Sequence, residues 1–466
     1  TPDLKPGPLD LSYPLRVEVE CFGRTEIWTI YAQYTEAVVT TTAADAWSRV
    51  VWVYGQGPAD VKNSIQYRLA SSEEWVTVPE SLITQTQGEF YAAIPHLEPL
   101  TEYVVRTVSG DNIGNEITVT TQATADIPNG DFENWCQIGK GQWCPYPENG
   151  EKFWDTGNKG SMTMGVNLTV PSTHTPTGAG YATECSTKFV GFGATVGKLG
   201  AGSIFTGEYL RTDKTNGVLG FGRPWNLRPT KLKGFYQYSA KPIDYADESM
   251  KSMIGKPDTC HIYVALTDWT APYEIRTSPS ARQLFDKNAS YVIGYGEMQY
   301  SGEMSAYREF EIPITYRSTS RVPTYLQITC STSKYGDYFT GGSGSVLYID
   351  QLSFSFRYII RNGQNMLTTL AEELRFAEAY GYLFKIRYAD KLFFDVDVAP
   401  KYLDYRLPVL TLQELLSNAV KHNAITKRRP LRVSIRVENG QLVVSNPLLP
   451  KLDAEPCTGI GLHNLD

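Results

Sequence analysis

The residues of this chain that could do chemistry are mostly aromatic. Trp154, Trp225, Trp269, Tyr335 and Tyr338, with Tyr273 beside them, are set among turn-forming residues. Trp and Tyr offer a rigid flat face with a polar tip, the shape that stacks on the apolar side of a pyranose. Two arginines precede prolines, Arg223 in Arg223-Pro224-Trp225 and Arg228 in Arg228-Pro229, and a guanidinium can bond two acceptors in a fixed fork. These seven residues, Trp154, Arg223, Trp225, Arg228, Trp269, Tyr335 and Tyr338, are the expected contacts to a polysaccharide or oligosaccharide. The competing reading places the tryptophans in the core. The Gly- and Tyr-rich segment 335–344 is hard to read as core and is the loop most expected to face a ligand. Hydrolysis of a glycosidic bond needs two carboxylates about 5–10 Å apart. Asp155, Glu184, Asp268, Glu297 and Asp337 lie in or near the same motifs, but no spacing singles out a pair. Binding is therefore expected ahead of glycoside hydrolysis, which remains the alternative.

The elements that position these residues read as strands. The chain has 466 residues, 39 Gly, 27 Pro and 30 Tyr, and its length suggests about three domains. Short alternating runs between Gly, Pro, Asn and Ser clusters predict a mainly β protein. Strands are expected at 14–34 (two, around a Gly-Arg-Thr turn), 48–55, 64–70, 231–239, 260–268, 309–317, 324–332 and 345–356. Residues 127–356 show no convincing amphipathic helix. Net charge is −7, which argues against nucleic acid as a partner. The charge is unevenly spread: residues 357–466 hold 15 Lys+Arg against 12 Asp+Glu, a net of +3, and the rest 28 against 38, a net of −10. All nine Trp lie at or before Trp269, so composition changes near residue 357.

Six cysteines precede residue 357 and none has metal-type CxxC spacing; Cys136 and Cys144 flank a short Trp-containing loop and are open to a disulfide or to two buried thiols. No run reaches the roughly 18 apolar residues of a membrane helix, and no signal peptide is evident. The Pro-rich start after Thr1 is what a trimmed mature form would show.

Three resemblances give these elements names. The Leu97-x-Pro99-x-Thr101-x-Tyr103 turn, followed by a strand carrying Arg106, resembles the fibronectin type III fold, where that Tyr packs at a strand corner. Such modules act as spacers or docking surfaces. Downstream, NGDFENW (129–135), FWDTGN (153–158), GSIFTGEY (202–209), FGRPWNLRPTKLKGFYQY (221–238), IYVALTDW (262–269), VIGYGE (292–297) and STSKYGDYFTGGSGSVLYIDQLSF (331–354) together resemble the putative carbohydrate metabolism domain family. That resemblance implies surface lipoproteins of glycan-degrading Gram-negative bacteria, hence export to the cell surface, outer membrane or periplasm and glycan-uptake partners. The opening NGDFENW and closing YIDQLSF are similar to the bookends of galactose-binding-like jelly rolls, which often share a calcium; that implies Asp131, Glu133 and Asp350 as its carboxylates. Turn caps and a surface glutamate are the competing reading.

The C-terminal residues resemble the ATP-binding half of bacterial sensor histidine kinases. TLAEELRFAEAYGYLFKIRY (369–388) is similar to a helix of one subclass, and LQELLSNAVKHN (412–423) to the asparagine box. The resemblance implies magnesium held by Asn418, aided by Glu414 one turn earlier, with Lys421 on the same helix, Asn446 near adenine and Gly459 and Gly461 against the phosphates of ATP. Departures accompany it. The usual Asp-x-Gly is replaced by SNPLLPK (445–451), no phosphoacceptor histidine segment precedes residue 357, and His422 belongs to the box. A kinase-type fold fits the cytoplasm, whereas the sandwich family is exported. A fusion, a truncation or two joined sequences would each explain the conflict.

The expected architecture is an Ig/fibronectin III-like sandwich with an N-terminal linker (1–126), a galactose-binding-like jelly-roll sandwich (127–356) and a partial α/β, histidine kinase ATPase-like fragment (357–466).

Overall fold

A computed structural model describes residues 15–21, 23–30, 39–192, 196–357, 367–388, 391–408 and 411–449. It is mostly β, built from open sheets. Leu15–Cys21 and Arg24–Ile30 form the expected antiparallel hairpin, closing at Cys21 opposite Arg24.

Residues 40–120 fold as two facing sheets. One runs Thr40–Ala46, Val51–Gln56, Glu89–Ile94, Thr84–Thr86; the other runs Asn112–Ile113, Glu102–Ser109, Asn63–Leu69, Val76–Thr77, with Ile117–Thr120 also on Glu102–Ser109. Period-two alternation turns Val51, Val53, Ile65 and Tyr67 inward, where they are fully buried. Tyr103 is buried at the turn foreseen for it, and its hydroxyl accepts the Glu98 N–H at 3.1 Å.

Residues 127–356 make a larger sandwich. Its nine-stranded sheet has the order Tyr273–Arg276, Asn216–Phe221, Ser203–Asp213, Tyr325–Ser331, Cys260–Thr267, Val292–Tyr300, Thr315–Tyr316, with Trp154–Thr156 also on Ser203–Asp213 and Arg223–Pro224 on Tyr325–Ser331. The facing five-stranded sheet runs Thr169–Ser172, Ala182–Ser186, Val346–Ser355, Lys231–Ser239, Arg308–Pro313. Between them Ile262, Val264, Leu266, Leu326 and Ile328 meet Leu232, Tyr238, Leu347 and Ile349. Each such side chain, taken out of water, stabilises the fold by about 1.5–3 kcal/mol. The run expected at 309–317 divides into Arg308–Pro313 and Thr315–Tyr316, which join different sheets.

The two ends of this sandwich meet. Leu352 N–H donates to Gly130 O at 2.7 Å, and a Cβ on Gly130 would lie 2.3 Å from Leu352 O, so only glycine fits there.

At the junction of the two sandwiches stands Arg228. It is buried, and it donates to Ala46 O at 2.6 Å, Thr319 O at 2.6 Å and Gln122 Oε1 at 3.2 Å. Trp47 donates its indole N–H to Thr319 O at 2.9 Å and packs on Tyr316, ring centroids 4.4 Å apart.

In the C-terminal part, helix Leu370–Tyr388 packs on helix Thr411–His422 and on a three-stranded sheet. Leu392–Asp397 pairs in parallel with Leu431–Glu438, which turns through Asn439 and Gly440, both at positive φ, into Gln441–Ser445. The first helix was expected from residue 362. Residues 358–366 lie outside the described residues, and the helix begins at Leu370. There Glu372 N–H donates to Thr369 Oγ1 and Thr369 N–H to Glu372 Oε2, a capping box. The second, expected over 407–425, is shorter because Arg406–Pro408 is drawn into a strand with Leu367–Thr369.

Candidate functional site

Alternation along the central strands sends one set of side chains into the core and the other to the outer face of the nine-stranded sheet. From Cys260–Thr267 the outward set is His261, Tyr263, Ala265 and Thr267; from Tyr325–Ser331 it is Tyr325, Gln327, Thr329 and Ser331. Segment 277–291 crosses this face and lays Leu284, Phe285 and Tyr291 on it.

The result is a continuous aromatic cluster. Trp269 stacks on Tyr273 (5.1 Å, 14°) and touches Tyr291 (5.5 Å), Phe285 (6.2 Å) and Tyr325 (6.5 Å). Phe285 stacks in turn on Tyr263 (5.5 Å, 6°). Tyr273, Tyr291 and Tyr325 are half-buried, so their rings form a rim around the buried Trp269. Beyond Tyr263, Glu297 accepts from Tyr295 OH at 2.9 Å, from His261 Nε2 at 2.8 Å and from Lys287. Burial pushes the Glu297 pKa up, but these hydrogen bonds outweigh it and hold the carboxylate at about 2. Burial lowers the pKa of His261, so the neutral ring donates to that carboxylate.

The Gly-rich segment 335–344 flanks the same face. Arg282, carried by the crossing segment, lies 4.3 Å from the Tyr338 ring centroid and donates to Asp247 at 3.2 Å. Tyr335 has the Lys334 ammonium 5.6 Å from its ring. Buried Asp258 anchors the segment, accepting from Gly342 N–H at 2.8 Å, Ser345 Oγ at 3.1 Å and Ser333 Oγ.

Of the aromatic and arginine residues singled out by type, the structure places Trp269, Tyr335 and Tyr338 around this face. The other four lie elsewhere and are corrected. Trp154 is fully buried against Phe132 and Phe153, with its indole N–H on Pro128 O at 2.8 Å. Trp225 packs on Phe354 and bonds Leu227 O at 3.1 Å. Arg223 serves the carbonyls of Phe153 and Gly207, and Arg228 ties the two sandwiches. Their donors are committed to main-chain oxygens and, for Arg228 Nε, to Gln122 Oε1, as buried polar groups require. Sequence reasoning missed Gln327, Thr267, Phe285 and Tyr291; outward placement on two adjacent central strands, the one signal for the first two, needs the register.

The carboxylates considered for hydrolysis are mostly tied down too. Asp155 accepts from Tyr209 N–H at 2.7 Å and Thr156 N–H at 2.8 Å, Asp268 pairs with Arg321, Glu184 accepts from Ser186 Oγ at 3.1 Å, and Glu297 is locked as described.

For the calcium set, Glu133 receives the Tyr181 N–H at 3.1 Å on both oxygens, and buried Asp350 accepts from Gln351 N–H at 2.7 Å. Burial, with Glu133 and Asp131 nearby, raises the Asp350 pKa to about 7. Among the described residues no three His, Cys, Asp or Glu side chains are grouped to hold a metal ion, so these three do not form a preassembled ligand set.

In the C-terminal part, Glu414 is bound by Arg357 at 2.5 Å and lies 3.2 Å from His96, while Asn418 Oδ1 is 3.5 Å from Arg357. An arginine and a histidine thus face the residues expected to serve magnesium. Burial first, then Arg357 and Arg49, lower the His96 pKa to about 3, so that ring is neutral. Lys421 lines a cavity of about 390 Å³ with Arg49, His96 and Arg357. Asn446 is exposed and bonds Pro447 O; Gly459 and Gly461 lie outside the described residues.

The fold is that of a multi-sandwich β protein, and its central domain is carbohydrate-related by family. Residues 131–355 match the family model described as "Putative carbohydrate metabolism domain", and residues 343–392 match that of histidine kinase. The sensor protein LytS of Streptococcus agalactiae serotype V is 30% identical over 134 residues, 25% of this chain and 22% of that protein. The sensor histidine kinase/phosphatase LytS of Staphylococcus aureus is 26% identical over 133 residues, 25% of this chain and 23% of that protein. The chain thus spans less than a quarter of the length of these curated relatives. Among solved structures, a putative glycoside hydrolase from Bacteroides vulgatus covers 48% of this chain and 96% of its own at 20% identity and TM-score 0.38. One from Bacteroides thetaiotaomicron covers 70% and 99% at 19% and 0.38, and the surface glycan-binding protein PbSGBP-B from Prevotella bryantii 72% and 79% at 10% and 0.16. No helix among the described residues is long and apolar enough to cross a membrane.

Proposed function

We propose that the sandwich 127–356 binds a polysaccharide or oligosaccharide on the outer face of its nine-stranded sheet, without cleaving it, in an exported protein of carbohydrate utilisation. The observation that carries this reading is the half-buried rim of Tyr273, Tyr291 and Tyr325 around Trp269, edged by Arg282 and Tyr338. Flat rings with polar tips suit the apolar faces and hydroxyls of sugars. Cleavage is disfavoured because Glu297 is held ionised by three donors and offers no proton, and Asp155, Glu184 and Asp268 are likewise committed to partners. In this reading the first sandwich, locked on by Arg228, is a spacer. The test is binding of the protein to a broad polysaccharide panel, with and without calcium. Retention without released product is expected; no binding by folded protein to any member of the panel overturns the reading.

A second reading attaches to residues 367–449: an ATP-and-magnesium fold of the kinase type. The similarity to the LytS sensor proteins over 25% of the chain supports it. Nucleotide at Asn418 would first have to displace Arg357. Titration with a fluorescent ATP analogue and magnesium tests it: Arg357→Ala is expected to bind more tightly than the native chain, and no binding by either sinks it.

A further inference from the structure

The outer face carries polar atoms that no hydrogen bond within the protein satisfies. Gln327 and Thr267 are fully buried and Trp269 is 6% exposed, yet Gln327 Oε1, Thr267 Oγ1 and Trp269 Nε1 have no partner. Leaving such a group buried and unpaired costs about 1–3 kcal/mol. The inward-facing side chains of the same two strands are apolar throughout, so the outward polar choice is not forced by the sheet. Turning the Gln327 amide over does not cure it. Its nitrogen now donates to Thr329 Oγ1 at 2.8 Å and Ile328 O at 3.1 Å, and a flip would set its oxygen against that carbonyl and leave the nitrogen unpaired instead.

The register puts Gln327 and Thr267 on one face. Gln327 stands opposite Ala265 and Thr267 opposite Tyr325, so Gln327 and Thr267 are diagonal neighbours, about 7–8 Å apart at the backbone. Trp269 follows two residues after Thr267. Phe285 contacts both Tyr263 and Trp269, the aromatics on either side of this stretch, and so roofs the floor made by Ala265, Gln327 and Thr267.

We propose that this floor reads the hydroxyls of a single uncharged sugar unit, with Phe285 as a movable roof that stacks on the ring. The proposal rests on the glycan reading above and adds the ligand class and the residues that select it. The three atoms are an amide acceptor, a hydroxyl and an indole donor, all neutral. Sugar hydroxyls donate and accept together and satisfy such a set. A carboxylate would find no cation among these three atoms; Arg282, at the flank, gives one terminal nitrogen to Asp247 and lies over Tyr338, and its unpaired Nε is the cationic donor that the glucuronate arm of the test below probes.

The experiment compares native protein with Thr267→Val, which removes an unpaired hydroxyl, and Gln327→Met, which removes the unpaired Oε1 together with the Nε2 bonded to Thr329 and Ile328. Binding is measured by competition of glucose, galactose, mannose, xylose, arabinose and glucuronate against the polysaccharide retained in the panel. Each variant is expected to lose tenfold or more in affinity for the winning neutral sugar, while the unfolding midpoint of Thr267→Val stays level or rises. Native-like binding by both variants overturns the proposal, as does preference for glucuronate. If Tyr273→Ala weakens polysaccharide binding while Gln327→Met does not, the rim alone binds: the glycan reading stands and the hydroxyl-reading floor falls. If native protein retains no glycan, the glycan reading itself falls, and the floor with it.

Discussion

The guanidinium of Arg228 donates to the main-chain oxygen of Ala46 at 2.6 Å, across the junction of two sandwiches. A buried cation held by carbonyls of separate units acts as a clamp. Arg228→Ala is expected to cost about 3–5 kcal/mol, because it empties buried space and takes the donor from Ala46 O and Gln122 Oε1, while Thr319 O keeps the Trp47 indole. Denaturant unfolding of the native and variant proteins measures it. Glycan affinity should be unchanged; its loss from a folded variant would return Arg228 to the binding surface.

Trp154 fills the core beside Phe132 and Phe153. Trp154→Ala is expected to lose about 3–5 kcal/mol of stability through the cavity it leaves. Tyr273→Ala, at the rim, should leave stability within about 1 kcal/mol and weaken polysaccharide binding about five- to tenfold, the worth of one stacked ring. Thermal unfolding beside affinity electrophoresis separates the two effects. The opposite pattern would mean that the ligand surface has been assigned to the wrong tryptophan.

Asp350 supplies a pH dependence. Its folded pKa is about 7, against about 3.9 for an unperturbed Asp. The folded state therefore holds this proton more tightly than the unfolded chain. The group's contribution is most favourable below about pH 4 and is lost as pH rises through about 7. Asp350→Asn should flatten this part of the stability profile between pH 5 and pH 8, followed by thermal unfolding. An unchanged slope would show that Asp350 does not carry it.

Cys136 and Cys144 are direct partners across a two-stranded ladder, Cys136 half-buried and Cys144 buried. Mild oxidation is expected to join them, detected as a mass loss of two hydrogens in the peptide pair. Closing so short a loop should stabilise the protein by about 2–3 kcal/mol. Cys144→Ser should abolish both effects. Failure to crosslink under oxidants that modify Cys136 would show that the ladder holds the sulfurs apart.

Periodicity and turn chemistry are local, and they were legible. The strand Lys231–Ser239 lies where alternation put it, and Asn439-Gly440 turns the hairpin it signals. The opening and closing motifs of the central sandwich were paired through their resemblance to jelly-roll bookends, and Leu352 does bond Gly130. The face that a side chain finally occupies depended on partners far along the chain. Trp154 and Trp269 are the same residue type in similar settings, yet one is drawn between two sheets and the other lies outside them, because Trp154 pairs opposite Thr206 and Trp269 lies just past the end of a central strand. Arg228 sits three residues before the strand that opens at Lys231, and its acceptor on Ala46 lies 182 positions away. Gln327 looks like any strand glutamine until the register sets it opposite Ala265 beneath Phe285. Hydrophobic pattern determined which segments became strands; the stacking of those strands, a sum of long-range burial, decided which polar atoms were left without a partner on the outer face.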